Sequence, residues 1–518
     1  MPRKPLSFAV LAVFLIPNFC RAQLRPVQQK TPAGVLEGVV SPDGKVRSFK
    51  GIPYAAPPVG SLRWKPPQPL APWPGVRKAV NFGPRCMQAR VYDDMIFRDE
   101  GPSEDCLYLN VWLPENHGTS LLPVMVWIYG GGFKAGATSE PRQDGSNLSK
   151  KGVLVVSMNY RLGIFGFFSH PELDKESGYN SSGNYGLMDQ LAALKWVHEN
   201  IALFGGDPDN VTIFGESAGS ASVSAQVASP LAHGLFRRAI GESGAVLASK
   251  EKRSRNETER IDLQFAKSVL RANSLSQLRD IPAAQLLEAA AKDDAPKFSW
   301  NIDGYFLPQS PDAIYAAGKQ NHVALLAGWN LDEGSAQDFF DKQDPTPENF
   351  AAKVRSLYGS NAGKILKLYP SANVAETKRS AADLDGDRFI SFETWKWLEL
   401  HRKTGQSPVY RYRFEETLPI AANSTDQEPS APHASEIEFV FQVLPSRDLP
   451  WRPQDEKTSE LMATYWTNFA KTGDPNGEGL PHWPAYAPQK YEVMHLTAQP
   501  EARPDDHRDR YLFLEKVR

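Results

Sequence analysis

Short, largely apolar runs that stop at glycine or at a polar turn recur along this chain, and they restrict its fold more than any other feature. Residues 124–129 read Val-Met-Val-Trp-Ile-Tyr and stop at Gly130-Gly131-Gly132; residues 153–158 and 211–214 are further runs of this kind. A strand that is apolar on both faces is buried on both, which is the habit of a mostly parallel sheet covered by helices. Between the runs, Leu187, Leu191, Leu194, Val197 and Ile201 are spaced by three and four, the period of an amphipathic helix, and Gly205-Gly206-Asp207-Pro208 ends it. Ala218–Ala228 is a second helical stretch, made of small residues. Strand and helix alternating in this way predict an α/β chain: a central, mostly parallel sheet flanked by helices.

Farther along, residues 322–329, 409–414 and 491–496 read as strands, and residues 250–300, 345–402 and 455–472 as helical insertions. Residues 31–115 are rich in Pro and Gly and predict a looping, β-rich lead-in. No repeat or low-complexity linker divides the chain of 518 residues, so one large domain over residues 23–518 is expected. Residues 1–22 read differently. Arg3 and Lys4 precede an apolar run at residues 6–16, and Ala22 offers a cut site, which is the pattern of a cleaved secretory leader. The run is shorter than the ~20 residues needed to cross a bilayer, and no later stretch is long or apolar enough to do so, so no transmembrane segment is expected in the mature chain. The protein is therefore expected to be secreted or periplasmic.

Cysteine usage agrees with export. Removing the leader takes Cys20 and leaves Cys86 and Cys106, an even number; a bond between them would close a loop of roughly 20 residues. Two cysteines without a Cys-x-x-Cys pair supply no zinc site. Asp383-Leu384-Asp385-Gly386-Asp387 imitates the start of a calcium loop. However, Arg388 stands where that loop needs glycine and Thr394 where it needs a bidentate Glu, so the segment reads as a helix cap. No metal or cofactor is expected. With 58 Lys+Arg against 60 Asp+Glu, there is no electrostatic case for nucleic acid.

Gly215-Glu216-Ser217-Ala218-Gly219 is the one Gly-x-Ser-x-Gly in the chain, and it lies between a strand and a small-residue helix. A serine on so sharp a turn is strained and exposed, and the glycines let the turn pack. A serine hydroxyl needs a base, and the base needs a carboxylate to orient it. In chains where this turn carries a nucleophile the order is Ser, acid, His. The acid falls after the strand at residues 322–329, where Asp332 and Glu333 compete and spacing does not choose. Five histidines follow: His401, His433, His482, His495 and His507. His433 is best placed, on a loop after a strand, whereas His401 sits in a helix and His495 in a strand. Gly130-Gly131-Gly132 is suited to aim backbone N–H groups at a developing oxyanion, with the N–H of Ala218 as a further donor. Ser243, in Ile240-Gly241-Glu242-Ser243-Gly244, lacks the second glycine and reads as a supporting residue.

Together, Gly51-Ile52-Pro53-Tyr54-Ala55, Glu104-Asp105-Cys106-Leu107-Tyr108-Leu109-Asn110, the glycine loop at 130–133, Phe204-Gly205-Gly206-Asp207-Pro208 and the serine motif resemble the type-B carboxylesterases. That family includes bacterial para-nitrobenzyl esterases, animal carboxylesterases and cholinesterases. The resemblance runs from about residue 31 to the C-terminus and implies an α/β-hydrolase fold. It implies that Ser217, Glu333 and His433 are the catalytic residues and that Gly131, Gly132 and Ala218 form the oxyanion hole. It also implies a Cys86–Cys106 disulfide. The cholinesterases carry a choline-binding Trp in that disulfide loop; residues 87–105 contain none here, which points away from choline esters. The expected activity is a secreted serine carboxylesterase acting on small-molecule esters, falling off below the ordinary histidine value of about 6.5. An amidase or lactonase with the same triad, or a binding protein of the same fold, are the rival readings.

Overall fold

A computed structural model describes residues 25–248, 253–421 and 428–517. The leader assigned to residues 1–22 lies outside them. One sheet takes in strands from residue 25 to residue 504, in the order Arg25–Thr31, Gly34–Val40, Val46–Pro53, Tyr108–Pro114, Leu154–Met158, Leu122–Ile128, Gly206–Glu216, Arg238–Glu242, Ala324–Asn330, Val409–Phe414, Glu492–Leu496 and Glu501–Pro504. The strands from Leu154–Met158 to Glu492–Leu496 are parallel; both ends of the sheet are antiparallel. The two-sided apolar runs are this parallel core, and every residue of Leu154–Met158 and of Ala324–Asn330 is buried.

Helices close both faces. Ala218–Ala228, buried along its whole length, lies against the Gly206–Glu216 and Arg238–Glu242 strands, and Pro453–Thr472 packs on the strands at 122–128 and 206–216. The helix predicted from the 3–4 spacing is Tyr185–Asn200; a short 3-10 turn, Ile201–Phe204, carries it to Gly205, which ends it in the left-handed region at φ 85°. No helix among the described residues is long and apolar enough to cross a membrane.

The stretch predicted as helical at 345–402 consists of Pro347–Tyr358, Ala362–Leu368, Val374–Gly386 and Phe392–Thr404, with a wide π turn, Asp387–Ser391, joining the last two. This corrects the reading of residues 383–387 as a helix cap. The cap is Asn373, ten residues earlier, whose side chain accepts from the N–H of Glu376 at 3.0 Å. Asp383, Asp385 and Asp387 lie within the helical run, and their carboxylates diverge. Asp383 meets Arg379 and Arg510, while Asp387 accepts from the hydroxyl of Tyr369. The end of this helix is pressed against the loop after the Ala324–Asn330 strand. A Cβ on Gly386 would come within 2.8 Å of the nitrogen of Gly334, and one on Gly334 within 2.2 Å of the nitrogen of Gly386.

Candidate active site

The Gly206–Glu216 strand and the Ala218–Ala228 helix are separated by one residue, Ser217, at φ 56° and ψ −122°. A side-chain-bearing residue held there carries about 1–3 kcal/mol of strain. The turn is held by Ser217 N donating to the carbonyl of Glu242 at 2.8 Å. The two motif glycines make room for it. A Cβ on Gly215 or Gly219 would stand 2.5 or 2.0 Å from the carbonyl oxygen of Ile128, at the end of the neighbouring strand. This is the packing the motif anticipated.

His433 reaches Ser217 from the loop between the Val409–Phe414 strand and the short helix Ile437–Val440. Its Nε2 lies 2.9 Å from the hydroxyl of Ser217, and its Nδ1 lies 2.6 Å from Oε2 of Glu333. With the proton on Nδ1 facing the carboxylate, Nε2 is left to accept from the serine. Glu333 is buried. Its other oxygen accepts from Asn330 N at 2.7 Å and from the hydroxyl of Ser243 at 2.5 Å, the support anticipated for Ser243.

Geometry separates the two competing carboxylates. Asp332 turns the other way: it accepts from Ala431 N at 2.8 Å and from Arg379 at 2.7 Å, and its own N–H bonds to the carbonyl of Ala431. It ties the loop carrying His433 to the loop carrying Glu333. Arg142 holds the far side of the histidine loop by donating to the carbonyl of Ala434. The other histidines lie elsewhere. His401 is buried in its helix against the carbonyl of Val323, and burial pushes it down to about 4. His495 pairs with Glu415, His507 adjoins Asp506, and His482 is exposed.

Two further glutamates complete the surroundings, and sequence reasoning missed both. Glu216, next to the serine, is buried with Oε1 3.2 Å from Nε2 of His433. Glu436, three residues after the histidine, is buried and accepts from the side chain of Asn330 at 2.6 Å. Burial lifts both carboxyl groups above their ordinary range. Burial also acts to lower the imidazole of His433, but the charges of Glu216 and Glu333 outweigh it and the imidazole is raised. Position beside Ser217 and beside His433 was the only available signal, because neither residue type nor spacing reports burial.

Gly131 and Gly132 follow the Leu122–Ile128 strand, and their N–H groups donate to no backbone carbonyl among the described residues. Ala218 opens its helix, where the first N–H groups have no partner within the helix. Ser217, Gly132 and Ala218 share the wall of a cavity of about 410 Å³ with Tyr92, Trp300 and Phe389. Phe389 comes from the π turn, and its ring meets that of His433 edge-on at 5.2 Å. A cavity of this size is ordinary for a small-molecule site. Cys86 and Cys106 are joined by a disulfide. Two residues on, the side-chain amide of Gln88 bonds both the N–H and the carbonyl of Gly136, at 2.9 and 2.8 Å, and so fastens the disulfide loop to the glycine loop.

Residues 25–513 match the model of the carboxylesterase family. The chain is 36% identical to fumonisin B1 esterase of Sphingopyxis macrogoltabida over 507 residues, covering 95% of this chain and 90% of that one. It is 37% identical to carboxylesterase 1C of Rattus norvegicus, covering 93% and 91%. A solved structure of PNB esterase superposes with a TM-score of 0.80 at 35% identity, covering 95% of this chain and 99% of the other.

Proposed function

The chain belongs to the carboxylesterase family and is a carboxylic ester hydrolase for small-molecule esters, and from that premise we propose that it works through an acyl-enzyme on Ser217. The hydroxyl oxygen of Ser217 attacks the ester carbonyl while Nε2 of His433 takes its proton. The N–H groups of Gly131, Gly132 and Ala218 bind the oxyanion, each donor contributing roughly 3 kcal/mol to the transition state. The intermediate collapses, the C–O bond to the alcohol breaks, and His433 returns its proton to the leaving oxygen. Water then attacks the acyl group, again with His433 as base, and releases acid and free serine. Glu333 keeps the imidazole in the right tautomer and offsets its charge.

The observation that supports this most is the unbroken chain of hydrogen bonds from Glu333 through His433 to Ser217, at 2.6 and 2.9 Å. A fluorophosphonate should label Ser217 one-to-one, and Ser217→Ala should lower kcat on the order of 10⁶-fold with an unchanged fold. Substantial turnover by that variant would remove Ser217 from the role. Matched ester and amide substrates distinguish an esterase from an amidase, and an unlabelled wild type would favour a binding protein. We also propose export, with a leader cut after Ala22. A disulfide is at home in an oxidising compartment, and the exported form should begin at Gln23 by N-terminal sequencing.

A further inference from the structure

The wall of the cavity is sorted by chemistry. Phe298 and Trp300 are buried and apolar, and Ala221 continues that surface beside the serine. The charged side chains on the wall are three cations, Lys134, Lys297 and Arg388, and one carboxylate, Glu393. Lys134 and Lys297 are exposed and Arg388 is half-exposed, so positive charge stands at the rim and apolar surface below it. The carboxylates around His433 are buried, with Glu216 and Glu333 turned to the imidazole at 3.2 and 2.6 Å.

Three consecutive residues of the π turn, Arg388, Phe389 and Ile390, line the cavity. Widened turns of this kind recur at functional sites.

We propose that the cavity selects esters bearing a carboxylate several carbons from the scissile bond, the carbon chain lying on Phe298 and Trp300 and the anion held at the rim by Lys134, Lys297 and Arg388. This rests on Ser217 being the nucleophile. A neutral ester of equal length fills the same apolar floor but carries no charge for the rim to attract. An anionic one also gains attraction during approach, where a sign-matched cleft raises association by ~10-fold or more. That gain is screened by salt, since the Debye length is about 10 Å at 0.1 M.

The test compares kcat/KM for mono-p-nitrophenyl adipate and p-nitrophenyl hexanoate, which share leaving group and acyl length. The wild type should favour the adipate ester by roughly tenfold at low ionic strength, with the ratio shrinking as salt is added. Lys134→Gln and Arg388→Gln should each lower the ratio severalfold. Lys134 is exposed on its loop, so its variant reports even if Arg388→Gln disturbs the π turn. Preference for hexanoate, or a ratio that neither salt nor Lys134→Gln moves, overturns the proposal while leaving the esterase reading in place. Failure to turn over either ester, together with no fluorophosphonate labelling, overturns both.

Discussion

Around one imidazole stand Glu216, Glu333 and Glu436, and their charges raise His433 above its ordinary value of 6.5 despite burial. A general base must be neutral, so a raised value keeps the imidazole protonated to higher pH. Activity is then gained as pH rises through that raised value and lost below it. The acid limb of kcat/KM should therefore lie above 6.5, not near it as the ordinary value implied, and Glu216→Gln should move it down. A limb that stays put in that variant would mean Glu216 does not act on His433. Substitution at the two adjacent carboxylates should separate their roles. Glu333→Gln should cost roughly 10⁴ in kcat with little change in melting temperature, by the logic of a lost orienting carboxylate. Asp332→Asn should instead lower melting temperature, because it loosens the contacts to Ala431 and Arg379. The strained turn at Ser217 was legible in the sequence because such a turn demands a local motif. Spacing alone did not choose between Asp332 and Glu333; the family resemblance pointed to Glu333, and in the structure Glu333 faces His433 while Asp332 turns to Ala431 N and Arg379.

At the scale of elements, the disulfide loop and the glycine loop behave as one piece through Gln88 and Gly136. Cys86→Ser with Cys106→Ser should cost ~3 kcal/mol by the chain-entropy model for a loop of this length, seen as a lowered denaturation midpoint that reductant reproduces in the wild type. Gln88→Ala should leave that midpoint closer to normal and lower kcat, since it frees the carbonyl and N–H of Gly136 beside the proposed oxyanion donors. Strands and helices with a strict period were readable in advance, and Ala218–Ala228 and Val409–Phe414 fall where their residues said. The π turn was not readable. Its residues have the same propensities as an ordinary helix, and the aspartates at 383, 385 and 387 imitate a helix start. Beside it, Gly386 packs against Gly334 of the loop after the Ala324–Asn330 strand, a tertiary contact that no local sequence signal reports.

For the molecule as a whole, acid stability should depend on the far edge of the sheet. Glu415 follows the Val409–Phe414 strand and joins it to the last two strands through Arg413, His495 and Arg503, at 2.5, 2.8 and 3.1 Å. Burial acts to raise this carboxyl, but the hydrogen bond from His495 and the charge of Arg413 overcome it and hold it down at about 2. A depressed carboxylate contributes stability that is complete above its unfolded value of about 4.3 and is lost as pH falls towards 2. Stability measured from pH 5 to pH 2 should therefore fall less steeply in Glu415→Gln than in the wild type. Most of the parallel centre of the sheet was legible because double-sided burial leaves runs of apolar residues, but the strand Arg238–Glu242, with Arg and Glu at its ends and Gly241 inside, was not read as one. The sheet's N-terminal antiparallel margin was visible only as a β-rich lead-in, because the Pro and Gly between its strands obscure where each begins and ends.

The seam where Gly334 meets Gly386 ties the wall of the cavity to the carboxylate behind it, and it tells a protein engineer where variation is tolerable. A library that varies Arg388 and Phe389, the residues of the turn that face the cavity without being buried, is the place to redraw which molecules are accepted. A single methyl group at 334 or 386 would wedge the two segments apart and drag Glu333 with them, so those two positions belong on the list of sites to leave alone.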